Sequence, residues 1–219
     1  MTSADLHSRP SRSLAGKVAI VAGAGNQGAG IGNGRAISIL LAEDGASVVC
    51  VDRDLEAAKA TASLIEEQGK GRAVAQYADV TKDSDCSAAV AATLEEFGRV
   101  DILVNNVGII GAKGTAVEVD PDAWSAGLEI NISSMMLMAK HAVPAMARNE
   151  PGDGSIRGSI VNMGSVAGLQ GGTGSLLYPT SKGAVVNMTR AMAAHHAKGG
   201  IRVNCVCPGT ILSGIILRS

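Results

Sequence analysis

The sequence predicts a three-layer α/β/α domain built on a doubly wound parallel sheet. Short β-branched segments alternate with Ala-rich helical segments along most of the 219 residues, and such alternation produces parallel strands joined by right-handed crossovers. A glycine follows most of the helical segments, as expected where a helix ends in the left-handed conformation. The strand segments are apolar throughout, which indicates burial on both faces. We expect one domain over residues 14–219, after a flexible polar tail over residues 1–13.

Three strands and three helices alternate in the first half of the chain. Apolar runs predict strands over residues 18–21, 47–51 and 73–77. Helical patterns predict helices over residues 33–44, 55–68 and 82–97. Each of these helices is followed at once by a glycine, at positions 45, 69 and 98.

The second half continues the alternation with longer helices. Strands are predicted over residues 102–104, 160–163 and 202–206. Helices are predicted over residues 122–148 and 178–198, and the second of these closes with two glycines. Residues 149–158 combine Pro, Gly, Asp and Asn, so they predict a surface loop between two elements of one domain.

Composition excludes several classes of function. Lys and Arg total 19 against 20 Asp and Glu, so a net charge of −1 provides no basic field for nucleic acid or an anionic membrane. Only four residues are Phe, Trp or Tyr, which leaves almost no platform for stacking bases. The amino terminus lacks the apolar core of a secretory signal, and no apolar run approaches the roughly 18 residues of a membrane span. We therefore expect a cytoplasmic protein without nucleic-acid or membrane partners.

The four cysteines predict reduced thiols. They stand at positions 50, 86, 205 and 207, with no CxxC spacing and no neighbouring histidine, so no metal site is expected. Cys205 and Cys207 fall in a strand-like run and would share one face, where a disulfide between them is improbable.

A glycine-rich turn follows the first predicted strand. Gly23, Gly25 and Gly28 match the pattern G-x-G-x-x-G, between a strand and a helix as that pattern requires. Missing side chains let backbone N–H groups approach a diphosphate, and the helix N-terminus adds partial positive charge. The alternative is a purely structural glycine turn.

An acidic residue ends the second strand. Asp52 stands where a carboxylate can accept hydrogen bonds from the adenosine ribose, and its charge would repel the 2′-phosphate of NADP. Arg53 could face such a phosphate instead. We expect NAD as the cofactor, with NADP as the less favoured alternative.

Tyr178 and Lys182 predict acid–base chemistry on one helix face. Their i, i+4 spacing brings the two side chains together, and a nearby ammonium favours the phenolate. Such a tyrosine can pass a proton to or from a carbinol oxygen while a hydride moves. Ser165 could hold the substrate oxygen by a hydrogen bond. Spacing of this kind alone is common on surface helices, so the glycine turn is what makes it specific.

With these motifs the sequence resembles the short-chain dehydrogenase/reductase family, in its compact single-domain branch. The resemblance covers roughly residues 16–213 and implies a Rossmann fold. Besides the glycine turn, it rests on the segments Asp79-Val80, Asn105-Asn106-Val107-Gly108, Asn131, Asn162-Met163-Gly164-Ser165, Tyr178-Pro-Thr-Ser-Lys182 and Pro208 to Ser213. Ser165 precedes Tyr178 by 13 positions, as in the family.

The resemblance implies a role for each matching residue. Asn131, Ser165, Tyr178 and Lys182 would form a catalytic tetrad that oxidises a secondary alcohol or reduces a ketone. The cofactor would contact Gly23, Gly25, Gly30, Ile31, Gly32, Asp52, Arg53, Asp79, Val80, Asn105, Val107, Gly108, Tyr178, Lys182, Pro208, Gly209, Ile211 and Ser213. It further implies a homodimer or homotetramer in which the helices near 122–148 and 178–198 pair, with Ala139, Ala142, Ala184 and Ala191 allowing close approach.

Two departures from the family keep alternatives open. The glycine turn is longer than usual, and its Gly-Ile-Gly-Asn-Gly-Arg end resembles the enoyl reductase branch, although Ser165 and the Tyr-x-x-x-Lys spacing favour carbonyl chemistry. The chain also stops at Ser219, before the family's substrate-covering segment and seventh strand. We therefore expect a shortened chain with reduced stability and activity, and a non-catalytic dinucleotide-binding protein is the alternative. An epimerase or dehydratase would need a larger substrate domain.

Overall fold

Strands and helices alternate in the structure in the order that the sequence predicts. The structure is a computed structural model, which describes residues 12–26, 31–69 and 71–211. Its strands are β1 (Val18–Ala22), β2 (Ser47–Asp52), β3 (Ala73–Tyr77), β4 (Ile102–Asn105), β5 (Gly158–Met163) and β6 (Ile201–Val206). Its α-helices are α1 (Asn33–Glu43), α2 (Leu55–Glu67), α3 (Asp83–Phe97), α4 (Pro121–Leu128), α5 (Ser134–Met146) and α6 (Leu177–His196). All six predicted strands are confirmed, with ends that shift by at most two residues.

The strands form one parallel sheet in the order β3-β2-β1-β4-β5-β6. The chain first winds outward from β1 to β3 and then crosses to β4 on the other side of β1. Strands β1 and β4 therefore flank the point where the winding direction reverses, and ligands of open parallel sheets bind at the carboxyl ends of such strands. The predicted doubly wound Rossmann architecture is confirmed.

Two apolar cores fill the spaces between the sheet and its helices. Helices α3, α5 and α6 cover one face, and α1 and α2 cover the other, so the domain has three layers. Every residue of β1 is buried, as its continuously apolar sequence predicts. Ala139 and Ala142, which we expected at a subunit interface, are instead buried in the core of their own chain because α5 turns them toward the sheet.

The long helix expected over residues 122–148 is interrupted. Between α4 and α5 the backbone makes one wider π turn, Glu129–Ser133. A π turn is often found at functional sites, because it turns a side chain out of the register of the α-helix. Here the residue at its centre is Asn131, which is fully buried.

A buried carboxylate ties together the opposite, amino-terminal edge of the sheet. Asp101 precedes β4 and accepts hydrogen bonds from the backbone N–H of Val18, at 3.0 Å, and from the guanidinium of Arg99, at 2.7 Å. Lys17 lies 3.4 Å from the same carboxylate. This group supports the sheet on the side away from the ligand edge.

None of the helices in the described part of the chain combines the length and apolarity that crossing a bilayer demands.

Candidate active site

A cleft of about 460 Å³ opens along the carboxyl ends of the strands, at the reversal point of the sheet. Most of the sequence-predicted site residues line it. They are Gly23, Gly25, Gly32, Asp52, Arg53, Asp79, Val80, Val107, Gly108, Ser165, Tyr178, Lys182, Pro208, Gly209 and Ile211. The cleft thus brings together residues at the carboxyl ends of all six strands with Tyr178 and Lys182 of α6.

Five other predicted residues, Asn105 among them, either do not line the cleft or lie outside the described residues. Ile31 is exposed, with 56% of its surface accessible, and Asn131 is buried behind the cleft. Gly30 and Ser213 lie outside the described residues, as does Gly28 of the glycine pattern.

The glycine turn brings β1 and α1 into direct backbone contact. Gly23 has a φ of +81°, which an L side chain adopts only with strain. A Cβ on Gly34, in the first turn of α1, would overlap the carbonyl oxygen of Gly23. The side-chain oxygen of Asn26 also accepts a hydrogen bond from the Gly32 N–H at 2.7 Å, just before α1 begins. Asn33 and Gly34, the first residues of α1, line the cleft, and the N-terminus of a helix favours an anionic ligand.

Asp52 lies at the end of β2, next to this turn. One carboxylate oxygen accepts a hydrogen bond from the Gly25 N–H at 2.9 Å, and the other accepts from the Asp54 N–H at 3.0 Å. A Cβ on Gly25 would approach that carboxylate to 2.7 Å, so the turn depends on glycine at this position. The guanidinium-bearing Arg53 lines the same end of the cleft.

Asp79 and Val80 close the cleft beyond Asp52. The Asp79 carboxylate accepts hydrogen bonds from the hydroxyl of Thr81, at 2.7 Å, and from the Thr81 N–H, at 3.1 Å. The hydroxyl bond is the main reason why the pKa of Asp79 lies below its usual value. Val80 is buried and lines the cleft, where it provides an apolar surface.

The two asparagines after β4 have different surroundings. We expected Asn105 to contact the cofactor, but its side chain is buried beneath the cleft, where it donates to Asn162 at 2.9 Å. Its neighbour Asn106 lines the cleft and donates to the Gly23 carbonyl at 3.0 Å, because consecutive residues of an extended chain point to opposite sides. The sequence located an Asn-Asn pair at this strand end but did not show which of the two side chains faces the cleft.

Three hydrogen bonds hold the Asn131 side chain. Its side-chain oxygen accepts from the Ile109 N–H at 2.8 Å, and its amide donates to the Ile109 carbonyl at 2.9 Å and to the Ser181 hydroxyl at 3.0 Å. The π turn is what directs this side chain inward. It fastens the loop after β4 to α6, two elements that both contribute to the cleft.

Tyr178 and Lys182 lie on the first turns of α6, as predicted. Lys182 is 4% exposed, and its ammonium lies 5.9 Å from the centre of the Tyr178 ring. It donates to the Met163 carbonyl at 2.8 Å. Burial lowers the pKa of Lys182 to about 8, against a smaller opposite effect of Cys205 and Cys207. The ammonium form of Lys182 therefore predominates at neutral pH.

Ser165 is placed beside these residues by a tight backbone contact. A Cβ on Gly168, at the end of the 3₁₀ turn Val166–Gly168, would overlap the backbone of α6 at Lys182. This contact fixes the turn against α6. The Ser165 hydroxyl oxygen accepts from the Ala167 N–H at 3.2 Å, so its own proton is free to be donated to a ligand.

Gly108 lies close to the side chains of both Lys182 and Asn131. A Cβ at this position would lie 3.0 Å from the Lys182 nitrogen and 3.5 Å from the Asn131 side-chain oxygen. Both polar groups therefore border the same small space, which a side chain at position 108 would fill.

Sequence reasoning missed part of the lining. The cleft also contains Asn106, Thr81, Ile109, Ile110, Ile130 and Met163, of which only Asn106 and Met163 stood within a quoted motif. Ile109 and Ile110 lie in the loop after β4, and Ile130 lies in the π turn, where no residue type marked them in advance. Within residues 12–26, 31–69 and 71–211 no group of three or more His, Cys, Asp or Glu side chains is arranged to hold a metal ion.

Comparison with known proteins gives a consistent result. The sequence model of the family described as short chain dehydrogenase matches residues 17–216. The chain is 39% identical over 188 residues to 2-(S)-hydroxypropyl-CoM dehydrogenase 3 of Xanthobacter autotrophicus, covering 85% of this chain and 70% of that protein. It is 36% identical over 195 residues to meso-2,3-butanediol dehydrogenase of Serratia marcescens, covering 89% and 71% of the two chains. The crystal structure of levodione reductase superimposes with a TM-score of 0.84 at 29% identity, covering 93% of this chain and 75% of that chain.

Proposed function

The chain belongs to the short-chain dehydrogenase family of nicotinamide-dependent oxidoreductases that act on CH–OH groups, and from this premise we propose that Ser165, Tyr178 and Lys182, backed by Asn131, carry its chemistry. One observation supports the proposal above others. A single cleft has a glycine turn and a carboxylate at one end and the serine, phenol and ammonium at the other.

The shape of the cleft fits a nicotinamide dinucleotide. Side chains at Gly23, Gly25 or Gly34 would fill the turn that faces the diphosphate, and the N-terminus of α1 would direct its N–H groups at it. Asp52 would hold the adenosine ribose, and Val80 would pack against the adenine. Tyr178 and Lys182 would contact the nicotinamide ribose. When bound, the nicotinamide ring supplies or accepts the hydride.

The residues at the nicotinamide end would have separate roles in substrate binding and proton transfer. Ser165 would donate a hydrogen bond to the substrate oxygen, and Tyr178 would take a proton from that oxygen in oxidation and return one in reduction. Lys182 would stabilise the phenolate by its charge. Asn131 would hold a water in the space beside Gly108, through which the proton reaches Lys182.

We propose NAD rather than NADP as the preferred cofactor. The Asp52 carboxylate accepts from the Gly25 N–H at 2.9 Å, and its negative charge would repel the 2′-phosphate of NADP at this end of the cleft. Arg53 opposes this preference from the same end of the cleft. The ratio of kcat/KM for the two cofactors measures the balance, and a preference for NADP would contradict the assignment.

The substrate that we propose is a small secondary alcohol or the corresponding ketone. Two of the relatives are named for 2-(S)-hydroxypropyl-CoM and meso-2,3-butanediol, both of which carry a secondary hydroxyl. The cleft is also lined by the apolar side chains of Ile109, Ile110 and Ile211. Within the described residues nothing supports the non-catalytic alternative.

An absorbance assay tests the activity. We expect NAD reduction with members of a panel of secondary alcohols. Ser165→Ala should lower kcat/KM by about 100-fold or more, as loss of one donor to a reacting oxygen does. The matched control is Ser159→Ala, which should leave the rate unchanged. Ser159 lies on β5, the strand that leads to Ser165. Equal rates for the two variants would remove Ser165 from the mechanism.

We also propose a homodimer or homotetramer, with Ala184 half-buried and Ala191 exposed on α6 as the remaining small residues of the expected contact. Sedimentation tests it, and a monomer would contradict it. All four cysteines are free, as suits the reducing cytoplasm that we propose as its location.

A further inference from the structure

Two cysteines converge at the carboxyl end of β6. Cys205 lies within β6 and Cys207 directly after it, and their sulfur atoms are 3.8 Å apart. Both are free and partly exposed, whereas Cys50 and Cys86 are buried in the two cores. The sequence predicted that the pair would share one face of the strand, and the structure confirms it.

A second measurement shows the same convergence. A Cβ built on Gly164 would lie 2.8 Å from the Cys205 sulfur and 2.9 Å from the Cys207 sulfur. Both sulfur atoms therefore lie over one glycine of the neighbouring strand end, at nearly equal distance. No side chain separates them from each other at that point.

The spacing of the sulfur atoms fits a bridging metal better than a disulfide. Two metal–sulfur bonds of about 2.3 Å at a tetrahedral angle place their sulfur atoms about 3.8 Å apart. A disulfide would need them at about 2.05 Å, which requires the two strand positions to move together. The observed 3.8 Å is the spacing of two hydrogen-bonded thiols, and the tetrahedral arrangement would keep that spacing without such movement.

We propose that Cys205 and Cys207 form a two-thiolate site for a soft, filled-shell divalent cation such as Zn²⁺ or Cd²⁺, and that its occupation inhibits the enzyme. Each thiol releases its proton to water and forms one metal–sulfur bond, and the oxidation state of the metal does not change. Water or a buffer ligand fills the remaining positions. With only two protein ligands the ion exchanges with solution, so it acts as an inhibitor and is not a resident cofactor.

The expected inhibition follows from how the cysteine segment is attached to the candidate active site, and this part rests on the proposed function. The Gly164 N–H donates to the Val206 carbonyl at 2.8 Å, and the Val166 N–H donates to the Pro208 carbonyl at 3.0 Å. Ser165 lies between these two bonds. An ion on the sulfur atoms would press on Gly164 and so displace the Ser165 hydroxyl.

Titration of the cofactor-free chain with Cd²⁺ tests the site without reference to turnover. We expect one Cd²⁺ per chain and the ultraviolet charge-transfer band of cadmium thiolate, both reversed by a chelator. Cys207→Ser should weaken binding at least about tenfold and remove most of the band. Cys86→Ala, which removes a buried thiol elsewhere, is the control and should bind as the unaltered chain does. Cys205→Ser provides the same test should Cys207→Ser fail to fold.

Two results would overturn the proposal. Binding and band of full strength in both Cys205→Ser and Cys207→Ser would show that the ion is held elsewhere, and absence of the band from the unaltered chain would show that there is no site. For inhibition, each protein is compared with its own metal-free rate. We expect at least a tenfold loss for the unaltered chain and little loss for Cys207→Ser, whereas equal losses would refute the coupling. Absence of turnover with every alcohol would count against the proposed function alone, because the absorbance titration is independent of it.

Discussion

Burial of the Lys182 ammonium should make the stability of the protein depend on pH in a predictable way. Burial lowers the pKa of Lys182 from 10.5 to about 8, and the side chain is 4% exposed, so little solvent screening weakens the effect. A difference of about 2.5 pKa units corresponds to about 3 kcal/mol. Below pH 8 the lysine is charged in both the folded and the unfolded chain, and folding carries this full cost.

The cost disappears as pH rises. Between about pH 8 and 10.5 the folded chain releases the Lys182 proton while the unfolded chain keeps it, so the free energy of unfolding increases with pH. Lys182→Met has no such charge and lacks the hydrogen bond to the Met163 carbonyl, which contributes about 1–2 kcal/mol. We therefore expect the Met variant to be about 1–2 kcal/mol more stable at pH 7 and less stable than the unaltered chain near pH 10.5.

Urea unfolding of the cofactor-free proteins at a series of pH values measures this difference. Taking the difference between the two proteins cancels the titration of the groups that they share. Lys59→Met is the matched control, because Lys59 is an exposed residue of α2, and its difference should stay within about 0.5 kcal/mol throughout. A Lys182→Met difference that is constant from pH 7 to 10.5 would refute the burial argument and mean that the ammonium reaches water.

Three further substitutions separate the cofactor cradle from the supports of the fold. Gly34→Ala should weaken NAD binding at least about tenfold and lower the free energy of unfolding by about 1–3 kcal/mol, because its Cβ overlaps the Gly23 carbonyl. The control is Gly199→Ala, where the new Cβ has open space. It should change neither the NAD affinity, measured by titration, nor the free energy of unfolding, measured with urea. Asp52→Asn keeps an acceptor for the Gly25 N–H but loses the charge, so the kcat/KM ratio of NAD to NADP should fall at least about tenfold; an unchanged ratio would exclude Asp52 as its determinant. Asp101→Asn should lower the free energy of unfolding by about 2–3 kcal/mol with kcat unchanged, because its partners lie at the far edge of the sheet, and an altered kcat would contradict that separation.

Much of the fold could be predicted because local signals agree with the tertiary arrangement. The buried strands are recognisable as apolar runs, and Gly98 ends α3 in the left-handed conformation, with a φ of +75°. The order of elements then limits the topology to few choices. The residues at strand ends could be located because every parallel strand delivers its carboxyl end to one edge.

The features that were missed depend on contacts between distant segments. The π turn at Glu129–Ser133 is accompanied by bonds from Asn131 to the backbone of Ile109, which no local pattern encodes. The choice between Asn105 and Asn106 required the direction of one side chain. The orientation of α5, which buries Ala139 and Ala142, follows from its packing on the sheet rather than from residue size.

Tyr178→Phe tests the central claim most directly, since it removes one oxygen atom and keeps the ring beside Lys182. We predict that kcat falls at least about 1,000-fold while the affinity for NAD, measured by titration, changes less than about threefold. Tyr77→Phe, at the exposed end of β3, should retain full activity as the matched control. A Tyr178→Phe protein that turns over within tenfold of the unaltered rate would contradict proton transfer by this phenol.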